Sequence, residues 1–450
     1  MTFQSPLILD AGAGTLTVDG NLQGTDNASV TLTGNTTNLN ADITTVNQNI
    51  TLNGTINLGN PVTLNTGTLA GDLFVNGTLE GNFDLTLETG TGNITFNQDI
   101  GNTTPLADIR VNSVNNLTTQ GITATSLAQL AGTGITTING LLNLTRELNL
   151  TGNNFNFNNN VATSATSVTG NTINFVGNLA TNDLTLAGTT INLAGTTTGT
   201  EINVMGNNLN LSGTTTGTEI NVIGNNLNLS GNTTGTDINL IGTDISLTGN
   251  MTTTNQGNFT LDNTNAVTLL ADNLTLDGNF TQIGAGLVNI SGTLTTANGN
   301  LTFTSPVTLT GNSIFQASNG VVQFNNTLGA GNFPLTITAR EINFNNTVAG
   351  TNTLTLQPTT EAIQLNDITD SDPNTLDLTA TELNFLADGF RQITIGHQNF
   401  TGTLNAQPGL TFRDPVILEA GSGTITVNDI TGTDNAALTL NATTLNLNET

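Results

Sequence analysis

The sequence predicts an all-β fold: a parallel β-helix, or β-solenoid, with coils of about 18 to 22 residues. Three observations carry the prediction. An 18-residue phrase recurs, so that Glu201-Ile-Asn-Val204 returns as Glu219-Ile-Asn-Val222 and again as Asp237-Ile-Asn-Leu240. Each copy holds two apolar-polar-apolar triplets, and period-two alternation puts both apolar side chains of a triplet on one face of a strand. Gly-Asn pairs such as Gly206-Asn207 separate the triplets, and both residues tolerate the positive φ of a tight turn.

The regular run covers residues 147–254 and contains six copies. The first triplet appears in phase as Leu148-Asn-Leu150, Leu184-Thr-Leu186 and Ile202-Asn-Val204. The second is Phe155-Asn-Phe157, Ile173-Asn-Phe175, Ile191-Asn-Leu193 and Leu209-Asn-Leu211. A unit of two or three short strands cannot bury its own apolar face, but stacked on its neighbours it can. Eighteen residues span a contour of about 60 Å, enough for a small triangular coil. Ile, Val and Leu are expected inside. The third side is the stretch Ser212-Gly-Thr-Thr-Thr-Gly-Thr218, whose threonines the pattern does not orient. Stacking sets Asn203, Asn221 and Asn239 one above another, about 4.8 Å apart. Their amides then either form an axial hydrogen-bonded ladder or serve to solubilise an outer face.

Outside 147–254 the spacing loosens while the alternation and turns persist. Pro61, Pro306 and Pro415 open apolar runs, where the first residue of a strand needs no donor. Residues 366–377 (NDITDSDPNTLD) are expected to project as a loop. No Pro- or Ser-rich linker divides the chain, so one continuous solenoid segment is expected over 1–450. A longer echo joins its two ends. Phe3-Gln-Ser-Pro-Leu-Ile-Leu9 returns 409 residues later as Phe412-Arg-Asp-Pro-Val-Ile-Leu418, and both continue into matching phrases. Neither end resembles a cap, so the expectation is a cut length of a longer repetitive protein, or copies associating end to end. At about 20 residues and 4.8 Å per coil, the expected rod is about 105 Å long.

Composition narrows the function classes. Thirty-two acids face five arginines and no lysine, for a net charge of −27. Such a surface repels nucleic acid and anionic membranes, which need Lys or Arg to neutralise phosphate. There is no Cys, so thiolate chemistry and disulfides are excluded. No apolar run approaches the roughly 20 residues of a membrane helix, so no membrane insertion is expected. Residues 1–30 show no signal-peptide pattern, so an export signal would lie outside this sequence or have been removed.

Chemistry-bearing constellations are sparse, and no catalytic, cofactor or metal residue is assigned. His397 is the single histidine, with Asp388 and Asp414 the nearest acids before and after it. A zinc site would need more His or Cys. Some β-helices cleave polysaccharides with clustered carboxylates. Asp262, Asp272 and Asp277 are the nearest approach to such a cluster, and without Trp, Tyr or Lys the sugar platform is missing. Ala11-Gly-Ala-Gly14 lacks the third glycine and following helix of a phosphate loop. Asp367, Asp370, Asp372 and Asp377 offer oxygens to calcium, but not at the spacing of an Asp-rich calcium loop.

The stretches 92–134, 299–313 and 388–404 resemble the repeat regions of large cyanobacterial filamentous-haemagglutinin-like surface proteins. The likeness covers essentially the whole chain as a repeat style and contains no active-site motif. It implies a right-handed parallel β-helix, secretion (often by a two-partner route) and an extracellular adhesin or fibre role. The secretion domain of such proteins has no counterpart here. The expected function is therefore structural: an extracellular fibre or adhesin stalk of a cell surface, matrix or sheath, associating end to end and without enzymatic activity or cofactor. The alternative is a surface module that binds calcium or polysaccharide.

Overall fold

A computed structural model describes residues 1–270, 273–368, 372, 374–434 and 436–448. The strands pair in parallel and make a β-solenoid of about 22 turns. Contacts divide the chain into two units, Met1–Gly217 and Thr218–Thr450. A coil touches only the coils beside it, so a solenoid has no single centre and its packing can be partitioned without any change of composition.

In the first unit the coil length varies and then locks. Leu7 lies beside Val30, Val30 beside Ile50 and Leu85 beside Ile109, steps of 23, 20 and 24 residues. The longest coils thus exceed the predicted range of 18 to 22. Extra residues enter at corners, such as Asn97–Pro105 between the strands Ile94–Phe96 and Leu106–Ser113. From Glu147 the step is 18: Glu147 pairs with Ala165, Ala165 with Asp183 and Asp183 with Glu201. The second triplets follow in phase, with Phe155 on Ile173 and Ile173 on Ile191. Every apolar triplet residue of this run is buried. The third wall is the two-residue strand Thr197–Thr198, repeated as Thr215–Thr216. Thr197 and Thr215 point inward and Thr198 and Thr216 outward, an orientation the pattern alone left open. Gly54, at φ +86°, shows why a turn of this unit needs glycine: a Cβ there would lie 1.8 Å from the Gly34 carbonyl oxygen of the coil below.

The second unit opens with the last two 18-residue coils. Glu219 pairs with Asp237 and Thr233 with Met251; then the step widens to 21 at Ile238 and Phe259. Its core carries a column of rings. Phe259, Phe280, Phe303, Phe324 and Phe344 follow one another at centroid separations of 5.5, 5.1, 5.1 and 6.0 Å, distances at which aromatic pairs attract. Pro306 and Pro415 stand immediately before strands, and their carbonyls accept from Val288 and Ile393 at 2.9 and 2.8 Å. The echo is structural as well. Thr25 N–H donates to the Phe3 carbonyl, as Thr433 N–H does to Phe412. Asp26 and Asp434 both adopt positive φ, 56° and 54°.

One irregularity interrupts the second unit. Its elements are β1 (Leu335–Phe344), β2 (Thr353–Pro358), β3 (Ala362–Asp367), β4 (Thr375–Thr379), α1 (Ala380–Phe385), β5 (Gln392–Gly396) and β6 (Thr403–Ala406). On one wall β2 stacks directly between the first half of β1 and β5. On the next wall β3 pairs with β6 above and with β4 below. β4 packs beside the second half of β1, yet among the described residues no ladder joins the two. This wall therefore holds two rungs where its neighbour holds one. Of the predicted projecting loop 366–377, residues 369–371 and 373 lie outside the described residues, and both of its ends are strand. Asn366 and Asp367 end β3, Thr375–Asp377 belong to β4, and Ile368 between them is 95% exposed. The alternation Thr375-Leu-Asp-Leu378 already carries a strand signal, masked in the sequence by the surrounding acids.

Val222 has no exposed surface, whereas the adjacent Ile223 is 39% exposed. Val222→Asp should lower stability by several kcal/mol, because it buries an unpaired charge. Ile223→Asp should shift the melting temperature only slightly. Thermal unfolding of the pair checks the inward assignment, and equal melting temperatures would contradict it.

Candidate functional site

The polar residues of this chain converge along the axis. On the flat faces, Asn amides form ladders. In the first unit Asn192 Nδ2 donates to Asn174 Oδ1 at 2.6 Å, and Asn174 Nδ2 to Asn156 Oδ1 at 2.8 Å. Another column runs from Asn97 through Asn76 and Asn53 to Thr33 Oγ1, with links of 2.7, 2.8 and 3.0 Å. In the second unit Asn239 Nδ2 donates to Asn221 Oδ1 at 2.9 Å. Coil register makes this possible: equivalent amides fall one rung apart, and each has a donor end and an acceptor end.

At the corners Asn and Asp act differently. Asn49 Oδ1 accepts the Asp72 N–H at 2.9 Å, Asp72 Oδ1 the Asn93 N–H at 2.7 Å, Asn93 Oδ1 the Asn116 N–H at 3.2 Å, and Asn116 Oδ1 the Ile135 N–H at 2.8 Å. The second unit repeats the device through Asp237, Asn258, Asn279 and Asn300 at 2.8 to 3.0 Å. Where the chain turns, a backbone carbonyl no longer sits over the next N–H. A short side-chain acceptor one rung away fills the place. The sequence reading missed this role. Its signal is an Asn or Asp recurring just before a strand, as in Asn258-Phe259, Asn279-Phe280 and Asn300-Leu301.

Buried carboxylates sit at the departures from regularity. Glu80 accepts from Thr103 and Thr104 N–H at 3.0 and 2.7 Å, inside the longest corner of the first unit. Glu341 and Glu382 are buried at the irregular β1–β4 junction. Asp414 is buried near the end of α1 and accepts the Gly389 N–H at 2.9 Å. Burial pushes its carboxyl above the ordinary value; the N–H groups of Gly389 and Phe390 oppose the shift, and the charge of Asp388 adds to it. The exposed Asp277 shows the reverse. The Gln256 N–H, and then the Asn298 amide, hold its carboxyl below the usual value.

The structure places most of the residues singled out by sequence separately. Asp262 lies within the strand Phe259–Leu269, Asp277 sits at a corner, and Asp272 lies outside the described residues. Asp370 also lies outside them. Asp367 accepts the Ile368 N–H, Asp372 caps Asn374 and Thr375, and Asp377 is buried in β4. Among the described residues no group of three or more His, Cys, Asp or Glu is placed to hold a metal ion. His397 is half-buried, with its ring edge-on to Phe400 at 5.8 Å. Among the described residues no helix is long and apolar enough to cross a membrane. Comparison with family models, with curated proteins and with solved structures gives no match.

Two substitutions test these roles. Asn221→Ala removes the acceptor for Asn239 and should cost about 1 kcal/mol in chemical denaturation; a neutral or stabilising result would favour a purely solubilising role. Asp414→Asn keeps an oxygen for the Gly389 N–H and removes the buried charge. Because the native carboxyl is raised, it supports stability below its ordinary value of 3.8, and that support is lost as pH rises through the native value. The variant should therefore equal or exceed the parent at pH 7 and show a smaller loss between pH 4 and pH 7, measured by urea unfolding.

Proposed function

We propose that this chain is structural: a length of extracellular β-solenoid serving as a fibre or adhesin stalk at a cell surface, matrix or sheath. The observation that carries this reading is where the polar chemistry goes. Asn, Asp and Thr side chains bind the equivalent position one coil away, through face ladders and corner relays, as in the column Asn53–Asn76–Asn97. Each coil adds backbone bonds, side-chain bonds and aliphatic core in the same direction. Such an object gains stiffness with every repeat, and its ladders shield the backbone from proteases. An acidic surface without lysine suits a fibre that stays soluble and apart from anionic membranes.

The reading includes axial continuation, through further repeats or through another copy. The internal echo supports it. Val30 and Leu39 are fully buried beneath the strand Ile50–Leu58, and the echo repeats their strand as Leu438–Leu447. A head-to-tail contact is heterologous, so it propagates without closing.

Negative-stain microscopy of the purified chain over a concentration series tests the proposal. Filaments that lengthen with concentration are expected, with a fibre-diffraction spacing of about 4.8 Å along the axis. Compact particles that never elongate and lack that spacing would overturn it.

A further inference from the structure

The junction between β1 and β4 is held by carboxylates in place of a backbone ladder. Glu341 Oε1 accepts the Ile342 N–H of β1 at 2.8 Å, and its Oε2 accepts the Asp377 N–H of β4 at 3.2 Å. Glu382 repeats the arrangement two residues along. Its Oε1 accepts the Phe344 N–H of β1 at 3.3 Å, and its Oε2 accepts the Thr379 N–H at 2.9 Å, together with the Thr379 hydroxyl. Both side chains are buried, at 5% and 6% exposure. Ile342 and Phe344 are alternate residues of one strand edge, and Asp377 and Thr379 are alternate residues of the other. Each carboxylate therefore straddles the junction, one oxygen to each strand. Three of these N–H groups, of Ile342, Phe344 and Asp377, lie on strand edges that a neighbouring carbonyl would ordinarily serve, and the fourth, of Thr379, belongs to the N-cap of α1, whose capping box Glu382 closes.

We propose that Glu341 and Glu382 make this junction an acid-sensitive seam, at which the segment β4–α1 separates locally from β1 while the regular ladders hold. The chemistry is that of the acceptors. An ionised carboxylate offers lone pairs on both oxygens and makes strong charge-assisted bonds to N–H groups. Proton uptake places a hydrogen on one oxygen and turns that end into a donor facing a donor. The ladders on either side, β1–β2 and β3–β6, use backbone carbonyls and have no such dependence. Other charges meet the seam. Arg340 precedes Glu341 on β1 and Asp377 lies in β4, its Oδ2 accepting the Asp372 N–H. Asp414 and Asp388 lie near the end of α1. Asp414 titrates with the opposite sign, since its raised carboxyl favours the native state on acidification.

Hydrogen–deuterium exchange with residue-level fragmentation tests the seam. In the Glu341→Gln, Glu382→Gln double variant at pH 7, the amides of Ile342, Phe344, Asp377 and Thr379 should exchange about tenfold faster than in the parent, the consequence of losing charge-assisted bonds. The amides of the ladder between Leu335–Ala339 and Thr353–Pro358 should keep the parental rate. Unchanged rates at the four amides, or one uniform rise through the second unit, would overturn the proposal. If the double variant does not fold, the Asp414→Asn chain is compared at pH 4 and pH 7 with intrinsic exchange chemistry corrected. Selective acceleration of the same four amides at pH 4 supports the seam, and its absence overturns it.

Discussion

Parallel stacking in register is the constraint on which everything else in this protein depends. Once a coil is laid on its neighbour with a fixed step, every residue meets its own equivalent one rung away. A residue is then selected for how well it stacks on itself. Aliphatics do so inside, in columns such as Val222 on Leu240. Phenylalanine does so with ring centroids about 5 to 6 Å apart, from Phe259 to Phe344. Asn does so outside, because a primary amide has one donor end and one acceptor end and can chain indefinitely. Lys and Glu do so only at a cost, since like charges one rung apart repel; the acids that do stack, Asp183 on Glu201 and Glu219 on Asp237, stand at the first positions of their strands. The scarcity of charge follows from that rule as readily as from any functional demand.

The corners obey the same constraint with a different device. A flat strand satisfies its N–H groups from the carbonyls of the next coil; a turning chain cannot. The Asn and Asp relays supply acceptors of fixed reach at the places where the backbone rotates away, as from Asp237 through Asn300. Asparagine thus serves two tasks in one sequence, side chain to side chain on the faces and side chain to backbone at the corners. The distinction lies in position within the coil.

Much of the fold was legible because the period is short and repeated. The 18-residue step, the inward triplets and the prolines before strands follow from alternation and turn chemistry read directly. The third wall was not legible. Thr197 and Thr215 sit in a Thr-Thr-Thr tract whose residues are alike, so only packing decides which faces inward. β4 was hidden because its four-residue alternation lies among acids that read as solvated loop. The candidate acids illustrate a further limit. Asp377 looked like a solvent-facing oxygen donor and is buried; Glu382 completes the capping-box pattern Thr379-Ala-Thr-Glu382, a signal the reading passed over, while Glu341 gave none. Their roles depend on which strand edge lacks a partner, a property of topology that local spacing does not encode.

The placement of buried charge follows from the same logic. A regular ladder has no use for a carboxylate, because every N–H already has a carbonyl. Where the period breaks, N–H groups lose those carbonyls inside a dry interior, and leaving them unpaired costs more than desolvating a well-satisfied acid. A carboxylate has two oxygens and a flexible stem, so it can serve two orphaned donors at once. Glu80 does this at the longest corner of the first unit, Glu341 and Glu382 at the seam, and Asp414 at the return from α1. In a chain with so few charges, a buried acid is therefore a marker of broken periodicity. Read that way, the acids locate the points at which this solenoid departs from repetition.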